Sequence, residues 1–170
     1  MKLTTERLEL IPLTLTQMEH WIYDLHTLEK ELVCSYQGDE VTGFFADIIK
    51  GQLDVIKGDP KNYFWHSFWF MLRKSDRVVI GSADFKAPPN EQGEVEIGYG
   101  LSPQFEHQGY MTETVQAMCD WALRQPGVTH IIADTDPDNY ASMRILERCG
   151  FKRDYEADKQ KGGETIWWRL

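Results

Sequence analysis

The chain has 170 residues, of which 42% are hydrophobic and 26% charged, and its formal net charge is −9. This length and composition predict a single folded domain over residues 1–170 rather than a disordered chain. The acidic balance argues against a general nucleic-acid binder or a binder of anionic membranes, because either would need a basic face.

The chain opens without a signal-peptide pattern, and no apolar run approaches the ~18 residues of a membrane span. We therefore expect a cytoplasmic, reduced protein without a membrane partner. Cys34, Cys119 and Cys149 are widely spaced, and we interpret them as small buried hydrophobic residues. The histidines show no ligand spacing with carboxylates or cysteines, so no metal site is predicted.

The first third of the chain predicts one strand and two helices. Alternating apolar and polar residues favour a strand over residues 3–13. Apolar residues at helical spacing predict a helix over residues 16–32 with Thr16 as its N-cap. A second helix is predicted over residues 42–56, interrupted at Gly51.

An apolar stretch follows and predicts an antiparallel hairpin. Its strands cover residues 64–72, which are apolar on both faces, and residues 78–85. His66 lies inside the first strand, and we interpret it as a packed core residue rather than a catalytic one. Trp65 and Trp69 share a face and are also assigned to the core, with packing of one of them against substrate as the alternative.

Residues 94–124 predict a strand, a glycine-containing loop and an amphipathic helix. The strand presents two faces: Val95, Ile97, Tyr99 and Leu101 on one, and Glu94, Glu96, Gly98 and Gly100 on the other. Glycines inside a strand often mark close approach of a ligand or another backbone. The helix face consists of Met111, Val115, Met118, Cys119 and Ala122. Free backbone N–H groups in the first turn of this helix can receive an anion.

The last third predicts a short buried strand over residues 129–135, parallel to the preceding strand through a right-handed crossover. A helix follows, with Asn139 as its N-cap and Gly150 at the left-handed position after its end. Its apolar face is predicted to contain Ala141, Ile145, Leu146 and Cys149. Residues 151–155 and 165–170 predict two closing strands.

Two motifs, in the correct order and spacing, give the chain a family resemblance. The segment EIGYGLSPQFEHQGYMTE resembles the acyl-CoA-binding segment of the GNAT N-acetyltransferase superfamily, whose loop reads Gln/Arg-x-x-Gly-x-Gly/Ala. Gly109 is kept, whereas Glu106 and Met111 depart from that pattern. The second motif is similar to the family's Asn-x-x-Ser-x-x-x-x-Glu-x-x-Gly-Phe segment and is carried by Asn139, Ser142, Glu147, Gly150 and Phe151.

The opening Thr-Glu-Arg-Leu-x-Leu also resembles the start of the ribosomal-protein N-terminal acetyltransferase-like branch. The resemblance implies an α+β GNAT-like fold. Its sheet is mixed and mostly antiparallel, with a splayed parallel strand pair and helices on both faces. It also implies transfer of an acetyl group from acetyl-CoA, the co-substrate, to a primary amine by direct attack within a ternary complex.

The resemblance implies two kinds of co-substrate contact. Backbone N–H groups at the start of the helix would bind the pyrophosphate, and these belong to Gln108, Gly109, Tyr110, Met111 and Thr112. A backbone amide of the splayed strand would polarise the thioester carbonyl, which indicates Leu101 or its neighbours. Asn139 is expected both to cap its helix and to contact the pantetheine or phosphates.

The resemblance also implies two catalytic residues. Glu96 stands where some members carry a general-base glutamate, with a solvated or structural glutamate as the alternative and Glu94 as a second choice. Ser142 is the candidate acid for the leaving thiolate, or a hydrogen-bonding contact to CoA or backbone. Tyr140, beside it in the sequence, is expected on another helix face.

Several points stay open at the level of sequence. A non-catalytic acyl-CoA-binding sensor is the alternative to an enzyme, whereas a nucleotide-phosphate enzyme lacks the required P-loop residues. The acceptor is a small-molecule or peptide amine, with Tyr36 and Phe44 as candidates to line its cleft or to serve only the core. No nucleic-acid partner is expected, and a homodimer remains possible in this family.

Overall fold

The computed structural model describes residues 1–170. Its elements, in chain order, are β1 (Leu3–Thr4), β2 (Leu8–Pro12), α1 (Leu15–Tyr23), α2 (Leu25–Leu32), β3 (Ser35–Tyr36), α3 (Gly43–Gly58), α4 (Tyr63–His66), β4 (Phe68–Arg73), β5 (Val78–Phe85), β6 (Glu94–Leu101), α5 (Tyr110–Ala122), β7 (His130–Thr135), α6 (Tyr140–Arg148), β8 (Lys152–Arg153), α7 (Tyr155–Lys161) and β9 (Ile166–Arg169).

The strands form one mixed sheet in the order β1-β2-β4-β5-β6-β7-β9-β8, and β3 pairs with β5. Pairing is antiparallel except between β6 and β7 and between β3 and β5. Residues 94–96 of β6 pair with residues 130–132 of β7, and beyond this point the two strands separate. The predicted mixed sheet with a splayed parallel pair is therefore confirmed.

Helices cover both faces of the sheet, as expected. On one face, α5 and α6 pack over the larger core, which includes Met118, Ile131 and Leu146. On the other face, α1, α2 and α3 pack over a second core around Trp21 and Phe70. No helix of this chain has the length and apolar character needed to cross a bilayer.

The N-terminal third differs from the prediction at local turns. Residues 3–13 form β1 and β2, because the N–H of Thr5 donates to the carbonyl oxygen of Leu8 and folds the segment into an antiparallel pair. Residues 16–32 form α1 and α2, separated at Asp24, whose side chain accepts from the N–H of Thr27 and starts the second helix.

The predicted N-cap Thr16 is wrong, because Thr14 and Gln17 form a capping box at the start of α1. The helix predicted over residues 42–56 is confirmed as α3 and runs through Gly51 without a break. Ala141, predicted on the apolar face of its helix, is exposed in α6.

The strand predicted over residues 64–72 begins only at Phe68. Before it, the N–H of Ser67 donates to the carbonyl oxygen of Tyr63 and closes the single turn of α4. His66 is buried, and its Nε2 lies 3.0 Å from Asp59, so its core assignment is confirmed. Trp65 and Trp69 both belong to the larger core.

The closing strands pair as an antiparallel unit, but residues 155–161 between them form α7. Asp154 accepts from the N–H of Ala157 and thereby caps this helix. The central predictions are confirmed: β5, β6, α5, β7 and α6 lie where the sequence indicates. Gly150 has a φ of 90°, the left-handed conformation expected after α6.

Candidate active site

The open edge of β6 is the first component of the site. The N–H of Lys86 donates to the carbonyl oxygen of Glu96, and that of Ser102 donates to Ile80. The backbone hydrogen bonds between β6 and β5 are therefore made by the even-numbered residues of β6. In an antiparallel pair the intervening residues direct their N–H groups away from the partner strand, so those of Tyr99 and Leu101 lie on the opposite edge of β6. That edge faces the gap where β7 has separated, so the Leu101 amide lies in the splay as expected.

The loop before α5 is the second component. Gly109 is the N-cap residue, with a φ of 81° and no side-chain cap. None of the backbone N–H groups of residues 108–112 donates to a protein acceptor, and the first helical bond runs from Glu113 to Gly109. Unpaired N–H groups at the positive end of a helix form an anion site. The structure thus brings together the predicted cradle.

The side chains of this loop do not fill the cradle. Tyr110 and Met111 are buried and pack into the core beneath α5. Replacement of the family's Gly/Ala by Met111 therefore leaves the main-chain donors unobstructed. The side chains of Glu106 and Gln108 are exposed.

Arg7 is a residue of this region that the sequence reasoning missed. Its Nη1 donates to the carbonyl oxygen of Gln108 at 2.8 Å, and its Nε donates to Glu113 at 2.7 Å. The guanidinium also lies over the ring of Tyr110, 4.2 Å from its centroid. Arg7 places positive charge beside the loop, where Glu106 supplies none. The sequence signal that could have indicated Arg7 is the Thr-Glu-Arg-Leu motif at the start of the chain, which contains it.

Glu113 fixes the N-terminal segment to α5. Its carboxylate accepts from the hydroxyl of Thr5 at 2.5 Å and from the backbone N–H of Arg7 at 2.8 Å. Burial opposes ionisation of Glu113, but these donors and the Arg7 guanidinium hold its pKa below the ordinary value. The turn between β1 and β2 is thereby tied to the first turn of the helix.

Ser142 and Tyr99 meet across the splay. Their hydroxyls are hydrogen-bonded at 2.8 Å. Burial raises the pKa of Tyr99 to about 12, although the bond to Ser142 opposes the shift. Asn139 caps α6 by accepting from the N–H of Ser142 at 3.1 Å, as predicted. Tyr140 is 67% exposed and takes no part in this contact.

Glu96 lies on the opposite face of β6 from Tyr99, on the side of Gly98 and Gly100. Its carboxylate is half-buried, and burial together with the charge of Asp134 raises its pKa. Lys86 and Lys161 oppose the shift. A carboxylate with a raised pKa is suited to receive a proton near neutral pH.

Glu94 differs from Glu96 in its partners. It forms an ion pair with Arg169 and accepts from the side chain of Asn90 at 3.2 Å. Although burial opposes ionisation, these partners hold the pKa of Glu94 below its ordinary value. Glu94 therefore forms a structural ion pair and is less suited than Glu96 to accept a proton.

A cleft of about 200 Å³ opens on the Glu96 face of the sheet. Its lining includes Tyr36, Phe45, Ile48, Phe68, Asp84 and Lys86. Tyr36 is placed as predicted, whereas Phe44 is 80% exposed and lies outside the lining. Asp84 was missed by the sequence reasoning, although its register opposite Gly98 gives it the same face. Glu96 is not part of this lining.

The sequence profile of the acetyltransferase (GNAT) domain matches residues 7–152. The chain belongs to the GNAT family. The predicted family and the predicted class, an N-acetyltransferase with acetyl-CoA as its co-substrate, are confirmed at the level of the family. The match includes both the loop before α5 and the segment that starts α6.

Individual GNAT proteins agree with this assignment. The chain is 26% identical over 159 residues to the uncharacterized N-acetyltransferase YjdG of Bacillus subtilis (strain 168), covering 94% of each protein. The structure of a ribosomal-protein-S5-alanine acetyltransferase from Vibrio fischeri superposes with a TM-score of 0.69 at 16% identity, covering 100% of this chain and 96% of that one.

A further GNAT structure resembles this fold. It is the ribosomal L7/L12 α-N-protein acetyltransferase RimL, solved in complex with coenzyme A. The TM-score is 0.67 at 16% identity, with 100% of this chain and 97% of that chain covered. At this identity the likeness concerns the fold.

Proposed function

We propose that the chain transfers the acetyl group of acetyl-CoA to a primary amine by direct attack within a ternary complex. One observation carries this proposal: the open edge of β6 leads to the unpaired backbone N–H groups of residues 108–112. This arrangement offers a peptide-like partner for a pantetheine arm and, in the loop that follows the same strand, an anion site for a pyrophosphate.

The main chain of β6 is proposed to act on the thioester. The N–H of Leu101 at the open edge would donate to the carbonyl oxygen, where negative charge develops as the amine attacks. Gly98 and Gly100 carry no side chain on the Glu96 face of the strand, so the acceptor can approach the backbone closely from that side.

The proposed base is Glu96. The attacking amine must lose a proton, and the half-buried carboxylate, with its raised pKa, would accept it directly or through a water. As the N–C bond forms, the C–S bond breaks, its electron pair leaves on the CoA sulfur, and the nitrogen releases its second proton to solvent. Glu96 retains the proton until it is released to solvent.

Ser142 is proposed to supply a proton to the leaving thiolate or to stabilise it by a hydrogen bond. The hydroxyl of Tyr99, 2.8 Å away, would orient Ser142 and could replace its proton. Asn139, through its cap on the N–H of Ser142, holds the start of α6 in place. The proposal therefore assigns the two faces of β6 to different tasks, with the amine on one and the thiol on the other.

The test is titration of the protein with acetyl-CoA by calorimetry, followed by a panel of primary amines with thiol release monitored. We expect micromolar binding and thiol release that requires an amine. Binding without release on any amine would identify a non-catalytic acyl-CoA-binding module. Absence of binding would show that the loop before α5 does not hold the co-substrate.

A further inference from the structure

The cleft on the Glu96 face has a rigid aromatic wall. The rings of Phe45 and Phe68 meet edge to face with centroids 6.0 Å apart. Trp21 lies behind both, 5.7 Å from Phe45 and 5.6 Å from Phe68. Ile48, on the same helix as Phe45, also lines the cleft and is 41% exposed. Such a wall binds apolar or aromatic groups through burial and ring contacts.

The floor of the cleft carries a buried carboxylate with few partners. Asp84 is 7% exposed, and its ion-pair partner is Lys86, 3.3 Å away. No backbone N–H donates to it, in contrast to Glu113, which accepts from Thr5 and Arg7. Burial raises the pKa of Asp84, because its charge is poorly compensated.

Lys86 compensates the charge of Asp84 only in part, so the carboxylate can bind a second cation. Its side chain is 52% exposed, so water screens its ammonium and weakens its compensation of the buried charge. A buried carboxylate gains most from a cation that enters the cleft and is desolvated with it. The ammonium form of an acceptor amine is such a cation.

The neighbouring strand makes room for this carboxylate. A Cβ at Gly98 would lie 2.9 Å from Oδ1 of Asp84 and 2.7 Å from Nζ of Lys86. Asp84 therefore leans over β6 at Gly98, and Glu96 follows on the same face of that strand. An amine bound at Asp84 would lie next to both the proposed base and the strand that activates the thioester.

We propose that Asp84 binds the ammonium group of the acceptor and that Phe45, Ile48 and Phe68 hold an apolar or aromatic group attached beside it. The acceptor class is thus an arylalkyl primary amine without a carboxylate next to the nitrogen. This inference rests on the proposed acetyl transfer. The volume of about 200 Å³ is smaller than the ~300–1,000 Å³ of sites for drug-sized ligands, so one compact group fits.

The cleft disfavours two other kinds of amine. An α-amino acid would place its carboxylate against Asp84 and near Asp39, which also lines the cleft. A polyamine would satisfy the carboxylates but leave the aromatic wall without an apolar partner. Both losses lower the selectivity constant rather than the affinity for acetyl-CoA.

The experiment compares 2-phenylethylamine with phenylalanine, ethylamine and spermidine by thiol release from acetyl-CoA. Phenylalanine adds only a carboxylate, and ethylamine lacks only the ring. We expect kcat/KM for 2-phenylethylamine to exceed that of each other amine by about tenfold or more. A preference for phenylalanine or spermidine, or equal rates for all, would overturn the acceptor class while acetyl transfer stands.

Variants test the residues. Asp84→Asn is expected to raise KM for 2-phenylethylamine about tenfold with a smaller change in kcat, and to keep the Kd for acetyl-CoA, which also reports folding. Ile48→Ala should raise KM as well. The matched control is Phe44→Ala on the same helix, whose ring lies outside the cleft and whose removal should leave KM as it is.

The outcomes separate the two proposals. If Asp84→Asn leaves KM unaltered, Asp84 does not bind the ammonium and the inference is overturned. If the protein binds acetyl-CoA but releases no thiol with any amine, the proposed acetyl transfer fails and this inference fails with it.

Discussion

The two sides of β6 differ in the chemical groups that they present: main-chain amides on one side and side chains on the other. On the proposed co-substrate side, the groups proposed to bind are main-chain amides of Leu101 and residues 108–112. On the proposed acceptor side, the groups are side chains that come from α3, β4, β5 and β6 and from the segment around Tyr36. The first side depends on backbone conformation, and the second depends on which residues the tertiary fold brings together.

This difference means that departures from the family pattern in the loop leave its backbone N–H groups in place. Met111 occupies a position that is usually small, yet its side chain is buried in the core beneath α5. Glu106 replaces a donor, but Arg7 from β2's leading turn lies beside the same loop. A site made of backbone amides tolerates changed side chains, provided that those side chains point elsewhere.

Removal of the proposed base should give the largest effect on catalysis and leave the binding of acetyl-CoA unchanged. We expect Glu96→Gln to lower kcat by about 10²-fold or more, with the Kd for acetyl-CoA retained. Burial and the charge of Asp134 raise the pKa of Glu96 above its ordinary value, although Lys86 and Lys161 oppose this shift. The wild-type rate should therefore rise with pH through a higher range than a solvent-exposed glutamate would give. The carboxylate must be deprotonated to act, so the limb rises toward alkaline pH.

Initial rates of thiol release from pH 5 to 9 would measure this limb; the Gln variant should lose it and keep only the rise with pH that comes from deprotonation of the amine itself. Glu94→Gln on the same strand is the comparison, since it breaks an ion pair with Arg169 and should mainly lower the thermal midpoint. A fall in kcat that follows Glu94 rather than Glu96 would contradict the assignment.

A change of backbone conformation should break the co-substrate side. Gly109 has a φ of 81°, and a Cβ there would lie 3.3 Å from Nη2 of Arg7. Since the left-handed region strains other residues by ~1–2 kcal/mol, we expect Gly109→Ala to raise the Kd for acetyl-CoA about tenfold. Calorimetric titration would measure it.

Gly51→Ala provides the control for that experiment. Gly51 lies inside α3, and a Cβ there meets nothing within 4 Å. Alanine should stabilise this helix by ~0.5–1 kcal/mol and leave the Kd for acetyl-CoA as it is. Equal affinities for both variants would show that the loop before α5 does not hold the pyrophosphate.

Substitution of Tyr99 or Ser142, whose hydroxyls meet where β6 and β7 separate, should give a smaller effect on kcat. Tyr99→Phe and Ser142→Ala each remove one hydroxyl of a 2.8 Å hydrogen bond. If the two hydroxyls act as a unit on the leaving thiolate, each variant should lower kcat by about fivefold, and the double variant by no more. Independent, multiplying losses in single-turnover rates would show that the two residues do not share one task.

The smallest effect should come from Arg7. Its side chain supports a site that otherwise consists of backbone amides, so its removal measures how much a side chain contributes on the proposed co-substrate side. Arg7→Gln removes a charge beside the loop and its bond to the Gln108 carbonyl. We expect an increase of about threefold in the Kd for acetyl-CoA and a weaker salt dependence. Lys2→Gln, which breaks an exposed ion pair with Glu9, is the matched control. An unaltered Kd would restrict Arg7 to anchoring the N-terminal turn.

Much of the central fold could be predicted because its signals are local. The alternation of β6 and the 3.6-residue period of α5 both follow from one face being buried, and each is confirmed. The errors lie at side-chain caps, where Asp24 divides one predicted helix into two and Asp154 starts the unpredicted α7. A cap depends on a single hydrogen bond, which a hydrophobic period does not report.

The sequence by itself determined the family, the strand–loop–helix unit and the identity of the glycine that shapes the loop, because these depend on residues close together in the chain. Only the tertiary structure decided that Arg7 reaches the loop before α5, that Tyr99 meets Ser142 and that Asp84 faces an aromatic cleft. Each of these contacts joins residues brought together by strand register and helix packing, whose partners lie far apart in the sequence. Side-chain chemistry on the acceptor side is therefore a property of the assembled sheet.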